Sequence, residues 1–463
     1  MVALLRVLFT LFLLLCAATL VVVVPVAPAL ADDDGGSSGG GASSGGGGGG
    51  SDSSGGGDPW QPFAKSAKSS KVLKCRCGGF LGLQCSCRSV RAGRGSRSTA
   101  AATGPRIATE ILAVGLSEAE IATLSARGFR VMQTRTSRLL GTAVSRLQVP
   151  RGASLPRALG TARSVAPGGR FAENTLFDAA RPTFQPAGSA CGHNCTPFVL
   201  TRWRSNVSQC SARAVIGVID TGVDTAHPVF ASSRVEVITT RSSDREPSGK
   251  EHGTGVVSLL VGEASGEFGG AAPGARVVAV DAFHRSARSD SADTHDLIAA
   301  LDHLADRGVR LINLSFSGVD NPILREAIEQ LSRSGVTLVA AVGAPRAGDA
   351  AGFPARYPGV TAVASVDGKM RTGLSSIRGS HVAFAAPGNG IIVATASKGY
   401  VTVEGSSFAA PFVTAALAMA LQAVSDGDQA VRLMASGAMD LGAPGRDPVF
   451  GWGLIQYSAL PPC

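Results

Sequence analysis

The feature that most constrains the fold is a series of short, continuously apolar segments between about residues 212 and 463, which alternate with helical patterns. Strands that are apolar at every position are buried on both faces, as in a parallel sheet covered by helices. The sequence therefore predicts an α/β domain with a mostly parallel sheet sandwiched by helices. The predicted strands are 214–220, 276–283, 309–315, 336–343 and 360–366, and the predicted helices begin near 252, 296 and 324.

A smaller α+β domain is predicted upstream, at 106–175. Ser117 and Glu120 form the Ser-x-x-Glu pattern of a helix N-terminus, and the two predicted strands alternate with two helices, which is typical of a small two-layer domain. The strands are 110–114 and 145–149, and the helices are 117–127 and 154–163. A linker at 176–211, with Cys191 and Cys195, is predicted to lead into the large domain, 212–463.

The N-terminal region predicts export. Arg6 precedes a long apolar run, and Ala29 and Ala31 form a small-residue cleavage site before Asp32, so residues 1–31 are predicted to be a signal peptide. The expected location is periplasmic or secreted. An uncleaved membrane anchor is the alternative, because the apolar run approaches the length that spans a bilayer.

Two low-complexity segments follow the signal. Residues 32–57 consist mainly of Gly, Ser and Asp, so they have nothing to bury and are predicted to be a disordered linker. Residues 58–105 form a basic segment that could contact an anionic envelope surface. Nucleic acid is not an expected partner, because an exported chain with 5% aromatic residues offers few stacking platforms.

The basic segment also contains two Cys-x-Cys pairs. Removal of Cys16 with the signal leaves an even number of cysteines from the original 9, and an oxidising compartment favours disulfides over a zinc site in this segment. Four cysteines lie further downstream, and the sequence does not choose between their three possible pairings. They are Cys191, Cys195, Cys210 and Cys463. The cysteines of the basic segment are Cys75, Cys77, Cys85 and Cys87.

Three short motifs in the large domain carry an acid, an imidazole and a hydroxyl. Asp220 ends an apolar strand in Asp-Thr-Gly, His252 opens His-Gly-Thr-Gly, and Ser407 lies in Gly-Ser-Ser-Phe-Ala-Ala-Pro before a long apolar helix. An open parallel sheet gathers its site at the carboxyl ends of its strands. A serine hydroxyl attacks a carbonyl poorly until a neighbouring base takes its proton, so this set of residues is typical of acyl transfer.

The order and content of these motifs resemble the subtilisin-like serine peptidases, bacterial and exported. His227-Pro228, Asn313 in Leu-Ile-Asn-Leu-Ser, and Pro387 in Phe-Ala-Ala-Pro-Gly add to the resemblance, which covers about 212–457. It implies that Ser407 is the nucleophile, His252 the general base, and Asp220 the group that orients the imidazole. It also implies that two backbone walls form the pocket for the residue before the cut bond. These walls are Ser315, Phe316, Ser317 and Gly318 on one side and Ala341, Val342 and Gly343 on the other.

The chain departs from the family pattern after Gly343. The family's Ala-Ala-Gly-Asn is replaced here by Ala-Val-Gly-Ala, so Ala344 stands where a side-chain oxyanion donor is expected. Arg346 is a hypothetical substitute donor. The resemblance therefore implies a peptidase of reduced activity.

The sequence thus predicts an exported serine endopeptidase, made as a zymogen, that acts on polypeptide substrates. The domain at 106–175 resembles the family's propeptides and is expected to inhibit the enzyme intramolecularly, with processing somewhere after Asn174. The alternative is a binding or regulatory protein that has kept the fold and lost activity. No cofactor is predicted, and calcium binding is left open.

Overall fold

The computed structural model describes residues 105–179, 195–204, 209, 211, 213–263, 268–286, 289–345, 351–373, 376–397 and 399–461, and the backbone of 72–77, 85–90 and 185–186. The strands are β1 (Val72–Cys77), β2 (Cys85–Val90), β3 (Arg106–Val114), β4 (Arg130–Ser137), β5 (Thr142–Gln148), β6 (Arg170–Ala179), β7 (Gln185–Pro186), β8 (Val215–Asp220), β9 (Arg234–Thr239), β10 (Arg276–Asp281), β11 (His284–Arg285), β12 (Asp290–Asp293), β13 (Leu311–Leu314), β14 (Phe316–Val319), β15 (Thr337–Ala341), β16 (Ala351–Phe353), β17 (Val360–Val366), β18 (Val382–Pro387), β19 (Asn389–Ala394) and β20 (Tyr400–Glu404). The helices are α1 (Glu118–Ala126), α2 (Leu155–Val165), α3 (Thr196–Leu200), α4 (Glu251–Val261), α5 (Thr294–Asp306), α6 (Pro322–Arg333), α7 (Ser406–Ala423) and α8 (Gly427–Gly437).

A seven-stranded sheet forms the centre of the large domain, in the order β18-β17-β15-β13-β8-β10-β9. Every neighbouring pair in this sheet is parallel, which confirms the predicted architecture. Helices α4, α7 and α8 contribute apolar side chains to the core on one face, and α5 and α6 to the core on the other. All strands therefore end with their carboxyl termini at one edge, where the site is expected.

Helix α7 lies in the middle of one core. It is long and apolar enough to cross a membrane by composition, but 83% of its apolar window is buried inside the protein. Burial against the sheet and α4 explains its composition, because a helix that is apolar on all sides needs protein around it.

The upstream domain is an antiparallel sheet, β4-β5-β3-β6, with α1 and α2 on one face. Ile111 and Ala113 of β3 face these helices, whereas Leu112 and Val114 pack into the core that contains α5 and α6. Ser117 and Glu120 form the predicted capping box. Because successive strand residues point to opposite faces, β3 joins the small domain to the large one.

Strands β4 and β6 were absent from the sequence prediction. Buried polar residues interrupt the apolar pattern of β6, and they are stabilised by tertiary hydrogen bonds that no local pattern reveals. The Nδ2 of Asn174 donates to Glu110 at 3.0 Å, and Asn321 donates to Thr175 at 3.0 Å.

Strand β6 extends past residue 175, the predicted end of the small domain. It continues to Ala179 and lies antiparallel between β12 and β14 of the large domain. Part of the predicted linker at 176–211 is therefore a strand, because the unpaired edges of β12 and β14 supply backbone hydrogen-bond partners that a linker lacks.

A separate unit, Met1–Gly95, contains the hairpin of β1 and β2. Its antiparallel register places Cys75 opposite Cys87 and Cys77 opposite Cys85. The predicted signal peptide and Gly/Ser-rich linker lie outside the described residues.

Candidate active site

Asp220 and His252 form a buried hydrogen-bonded pair. Asp220 is the last residue of β8, and its Oδ1 lies 2.7 Å from Nδ1 of His252, the second residue of α4. The backbone N–H of Thr221 also donates to Oδ1 at 2.7 Å. Because a carboxylate accepts hydrogen bonds, Nδ1 carries the proton and Nε2 has a free lone pair. Such an imidazole can take a proton from a neighbouring hydroxyl.

A glycine allows the close approach of α4 to the end of β8. A Cβ on Gly253 would lie 2.6 Å from the carbonyl oxygen of Gly222, and closer still to that of Thr221. The N–H of Gly253 donates to Oγ1 of Thr221 at 2.9 Å. The backbone contact therefore sets the distance between the helix that carries His252 and the strand that carries Asp220.

Ser407 lies at the start of α7, next to a residue whose ring packs against His252. It is the second residue of the helix and is 2% exposed, and the ring of the next residue, Phe408, lies 5.1 Å from the imidazole ring. Nε2 of His252 is buried and has no hydrogen-bond partner within the described residues, so no hydrogen bond joins it to Ser407. In free enzymes such catalytic hydrogen bonds are often long and tighten with substrate bound.

Buried hydrogen bonds hold the backbone of Ser407 in place. Ser315 Oγ donates to the carbonyl oxygen of Ser407 at 2.7 Å and accepts from Asn313 Nδ2 at 2.8 Å. Thr414, two turns further along α7, donates to Asn313 Oδ1 at 2.9 Å. The network links β13 to α7, and Thr414 was missed in the sequence because a threonine inside a helix carries no local signal of its partner.

The two predicted walls of the substrate pocket lie close together. Ser317 and its neighbours form β14, and Gly343 follows the end of β15 with a φ of +78°, a conformation that favours glycine. The N–H of Gly343 donates to Ser406 Oγ at 3.0 Å, which attaches this wall to the start of α7. The exposed Ala344 follows and offers no side-chain donor, whereas Arg346 lies outside the described residues.

A second carboxyl group, missed in the sequence, stands beside Asp220. Asp281 ends β10 and is paired in register with Asp220. Ser248 Oγ donates to Asp281 at 3.1 Å and accepts from the N–H of Gly222 at 3.2 Å. Burial raises the pKa of Asp281 to about 6, although the hydrogen bond from Ser248 opposes this rise.

A cluster of buried charges lies where the small domain meets the large one. Within the described residues, oxygen and nitrogen atoms of His284, Asp293 and Asp296 lie within 4.8 Å of one another and could hold a metal ion. Burial raises the pKa of Asp293. Arg245 donates to Asp293 at 3.1 Å and Ser242 to Asp296 at 2.6 Å, so hydrogen bonds inside the protein already stabilise both carboxyl groups.

Comparison with known proteins agrees with this fold. The sequence model of the subtilase family matches residues 211–453, which is more than half of the chain. The chain belongs to the subtilase family. The matched region of this subtilase contains Asp220, His252 and Ser407, the residues of the three motifs.

Three relatives illustrate the range of the family. This subtilase is 32% identical to the minor extracellular protease Epr of Bacillus subtilis over 56% of its own length and 40% of that protein. It is 33% identical to thermitase of Thermoactinomyces vulgaris over 43% of its length and 72% of thermitase. The crystal structure of fervidolysin from Fervidobacterium pennivorans, described as a keratinolytic enzyme related to subtilisin, matches with a TM-score of 0.64 at 22% identity, over 76% of this chain and 61% of that one. This subtilase therefore spans less than two thirds of Epr and of fervidolysin.

Proposed function

We propose that this subtilase is an exported serine endopeptidase that hydrolyses peptide bonds through an acyl-enzyme on Ser407. His252 acts as general base and then as general acid, and Asp220 orients the imidazole and stabilises its protonated form. The observation that carries the proposal is the 2.7 Å bond between Asp220 and Nδ1 of His252, on an imidazole whose Nε2 is unpartnered within the described residues and whose ring packs against Phe408, the residue after Ser407.

A fluorophosphonate probe tests the nucleophile. It phosphonylates a serine only where a base activates the hydroxyl, so it is expected to label the wild-type protein and not Ser407→Ala. Ser436→Ala is the control, because it removes an exposed serine hydroxyl on α8 and leaves the start of α7 unchanged. Labelling of Ser407→Ala, or failure to label the wild type after processing, would refute the proposal.

The activity is proposed to be reduced because Ala344 supplies no oxyanion donor. Removal of a side-chain donor of this kind from a subtilisin lowers turnover by about 100- to 1000-fold. Ala344→Asn is therefore expected to raise kcat by up to about the same factor, with a smaller change in KM, because the donor acts on charge that develops in the transition state. Ala344→Leu is the control, because its side chain is similar in size to that of Asn and has no hydrogen-bond donor; an Asn variant no faster than wild type would contradict the role of this position.

A binding or regulatory protein of impaired activity is the second candidate. Ala344 is the observation that favours it. The two candidates differ in the labelling experiment, because an inactive protein of this fold binds peptides without being labelled at Ser407.

The small domain is proposed to inhibit the peptidase through β6. Phe177 is fully buried, and its ring lies 6.0 Å from the ring of Phe316 in an edge-on arrangement. Addition of a strand to a sheet edge is a common way of binding an extended peptide, so β6 blocks the place a substrate would occupy. Phe177→Asp is expected to weaken this inhibition, so that peptidase activity appears sooner after the protein is made than it does in wild type. Leu176→Asp, on the partly exposed face of β6, is the control.

Export, processing and disulfide formation complete the proposal. The relative Epr is an extracellular protease by name, and Cys195 is disulfide-bonded, which supports an oxidising destination. Strand β6 ends at Ala179, so the processed bond is proposed to lie beyond Ala179. N-terminal sequencing of the secreted protein tests both the removal of the signal peptide and the processing beyond Ala179. Attachment of the basic segment 58–105 to an anionic envelope surface is proposed to weaken as salt rises.

A further inference from the structure

We propose that Ser317 restricts the pocket for the residue before the cut bond to small side chains, an inference that rests on the proposed peptidase function. It concerns which peptides the site accepts. The inference begins with the direction of β6, because this strand shows how an extended chain lies along the wall formed by β14.

Strand β6 runs antiparallel to β14 towards Ser407. Phe177 pairs with Gly318, Asp178 with Ser317 and Ala179 with Phe316, and Ser315, which precedes β14, is hydrogen-bonded to the backbone of Ser407. A substrate bound in this register would place the residue before the cut bond opposite Ser315. Residues directly opposite each other in an antiparallel pair present their side chains on the same face of the sheet. Along one strand, every second residue points to the same face, so Ser317 shares the face of Ser315. The substrate side chain would therefore lie on the face of Ser317.

On that face Ser317 contacts the opposite wall. A Cβ on Gly343 would lie 2.6 Å from Ser317 Cβ, and closer still to its hydroxyl oxygen. Since a C–C bond adds about 1.5 Å, the Cα of Gly343 lies within about 4.1 Å of Ser317 Cβ, which is van der Waals contact. A flat aromatic ring needs about 3.5 Å on each side, or roughly 7 Å between the walls.

Ile377 closes the same pocket from another side. It is 7% exposed, and its N–H donates to the carbonyl oxygen of Gly343 at 3.0 Å. Its Cδ1 would lie 3.8 Å from a Cβ on Gly343 and 3.3 Å from a Cβ on Gly352. The space between the walls therefore suits glycine or alanine and excludes large apolar or aromatic side chains.

Fluorogenic peptides test this preference with the processed protein. Each peptide copies Leu176–Ala179 and then carries Gly, Ala, Leu or Phe before an aminomethylcoumarin leaving group. The wild-type protein is expected to cleave the Ala peptide with a kcat/KM at least about 10-fold above that of the Phe peptide. Ser317→Gly is expected to raise the Phe-to-Ala ratio by roughly 10- to 100-fold, as expected when an apolar side chain gains a pocket to fill.

Two further variants provide graded controls. Ser317→Ala keeps the Cβ and is expected to give an intermediate ratio, whereas Ser317→Thr adds a methyl group and is expected to lower cleavage of the Ala peptide relative to the Gly peptide. The inference is overturned if wild type cleaves the Ala and Phe peptides equally, or if the Phe-to-Ala ratio of kcat/KM is unchanged in Ser317→Gly. In either case, fluorophosphonate labelling of Ser407 would show that the peptidase function itself still stands. Loss of labelling in the wild type overturns the peptidase function itself, and this inference with it.

Discussion

Gly253→Ala tests whether the spacing between α4 and β8 controls the chemistry. The added Cβ would lie 2.6 Å from the carbonyl oxygen of Gly222, whereas ordinary contacts begin at 3.4 Å. Backbone must therefore move by at least 0.8 Å (3.4 − 2.6). A shift of this size between Asp220 and His252 would stretch their 2.7 Å bond to about 3.5 Å, beyond the usual range of a hydrogen bond.

The expected result is a loss of about 100-fold in kcat/KM, the effect typical of a 1 Å misplacement of catalytic groups and equivalent to roughly 2.7 kcal/mol. The assay measures kcat/KM with the Ala peptide and the rate of fluorophosphonate labelling, each normalised to folded protein by circular dichroism. Gly255→Ala is the matched control on the same helix, because the nearest atoms to its Cβ would be side-chain atoms of Val393 at 3.0 Å and Phe408 at 3.4 Å rather than backbone. A folded Gly253→Ala protein within threefold of wild type, or equal losses in both variants, would refute the reasoning.

Two predictions concern stability and are measured by urea unfolding in the Ser407→Ala background, which prevents self-digestion. Burial raises the pKa of Asp281 from its ordinary 3.8 to about 6, so ionisation destabilises the folded state as pH rises through about 6. As pH rises from about 3.5 to about 7.5, the free energy of unfolding of Asp281→Asn should increase by roughly 3 kcal/mol relative to that of its parent. If the difference in free energy of unfolding between the two proteins does not change with pH, the assigned pKa is wrong. Arg146 is 1% exposed and donates to Asp244 at 2.6 Å, with Glu110 at 3.9 Å. Arg146→Met removes the ion pair with Asp244, whose side chain is 41% exposed, while Arg245 still bonds Glu110 at 2.7 Å. The free energy of unfolding should therefore fall by about 2 kcal/mol, and an unchanged unfolding midpoint would rule this out.

Much of the large domain could be predicted because its signals are local. The strand at Val360–Val366 was predicted with its observed bounds, since a continuous apolar run between turn residues identifies a strand buried on both faces. The motifs around Asp220, His252 and Ser407 were recognisable because they contain neighbours with a local steric role, such as Gly253 beside the backbone that follows β8.

The sequence by itself determined the α/β class, the family and the three residues at the ends of their elements. Only the tertiary structure decided what those residues touch: the pairing of Asp220 with His252, the network from Thr414 to Ser407, the carboxyl of Asp281 and the contact of Ser317 with the opposite wall. Strand β6 illustrates the reason. Its buried polar residues have no apolar pattern, because hydrogen bonds to residues far away in the chain stabilise them. Elements that are stabilised by local periodicity can be predicted from sequence, whereas elements stabilised by distant partners appear only when the chain is folded.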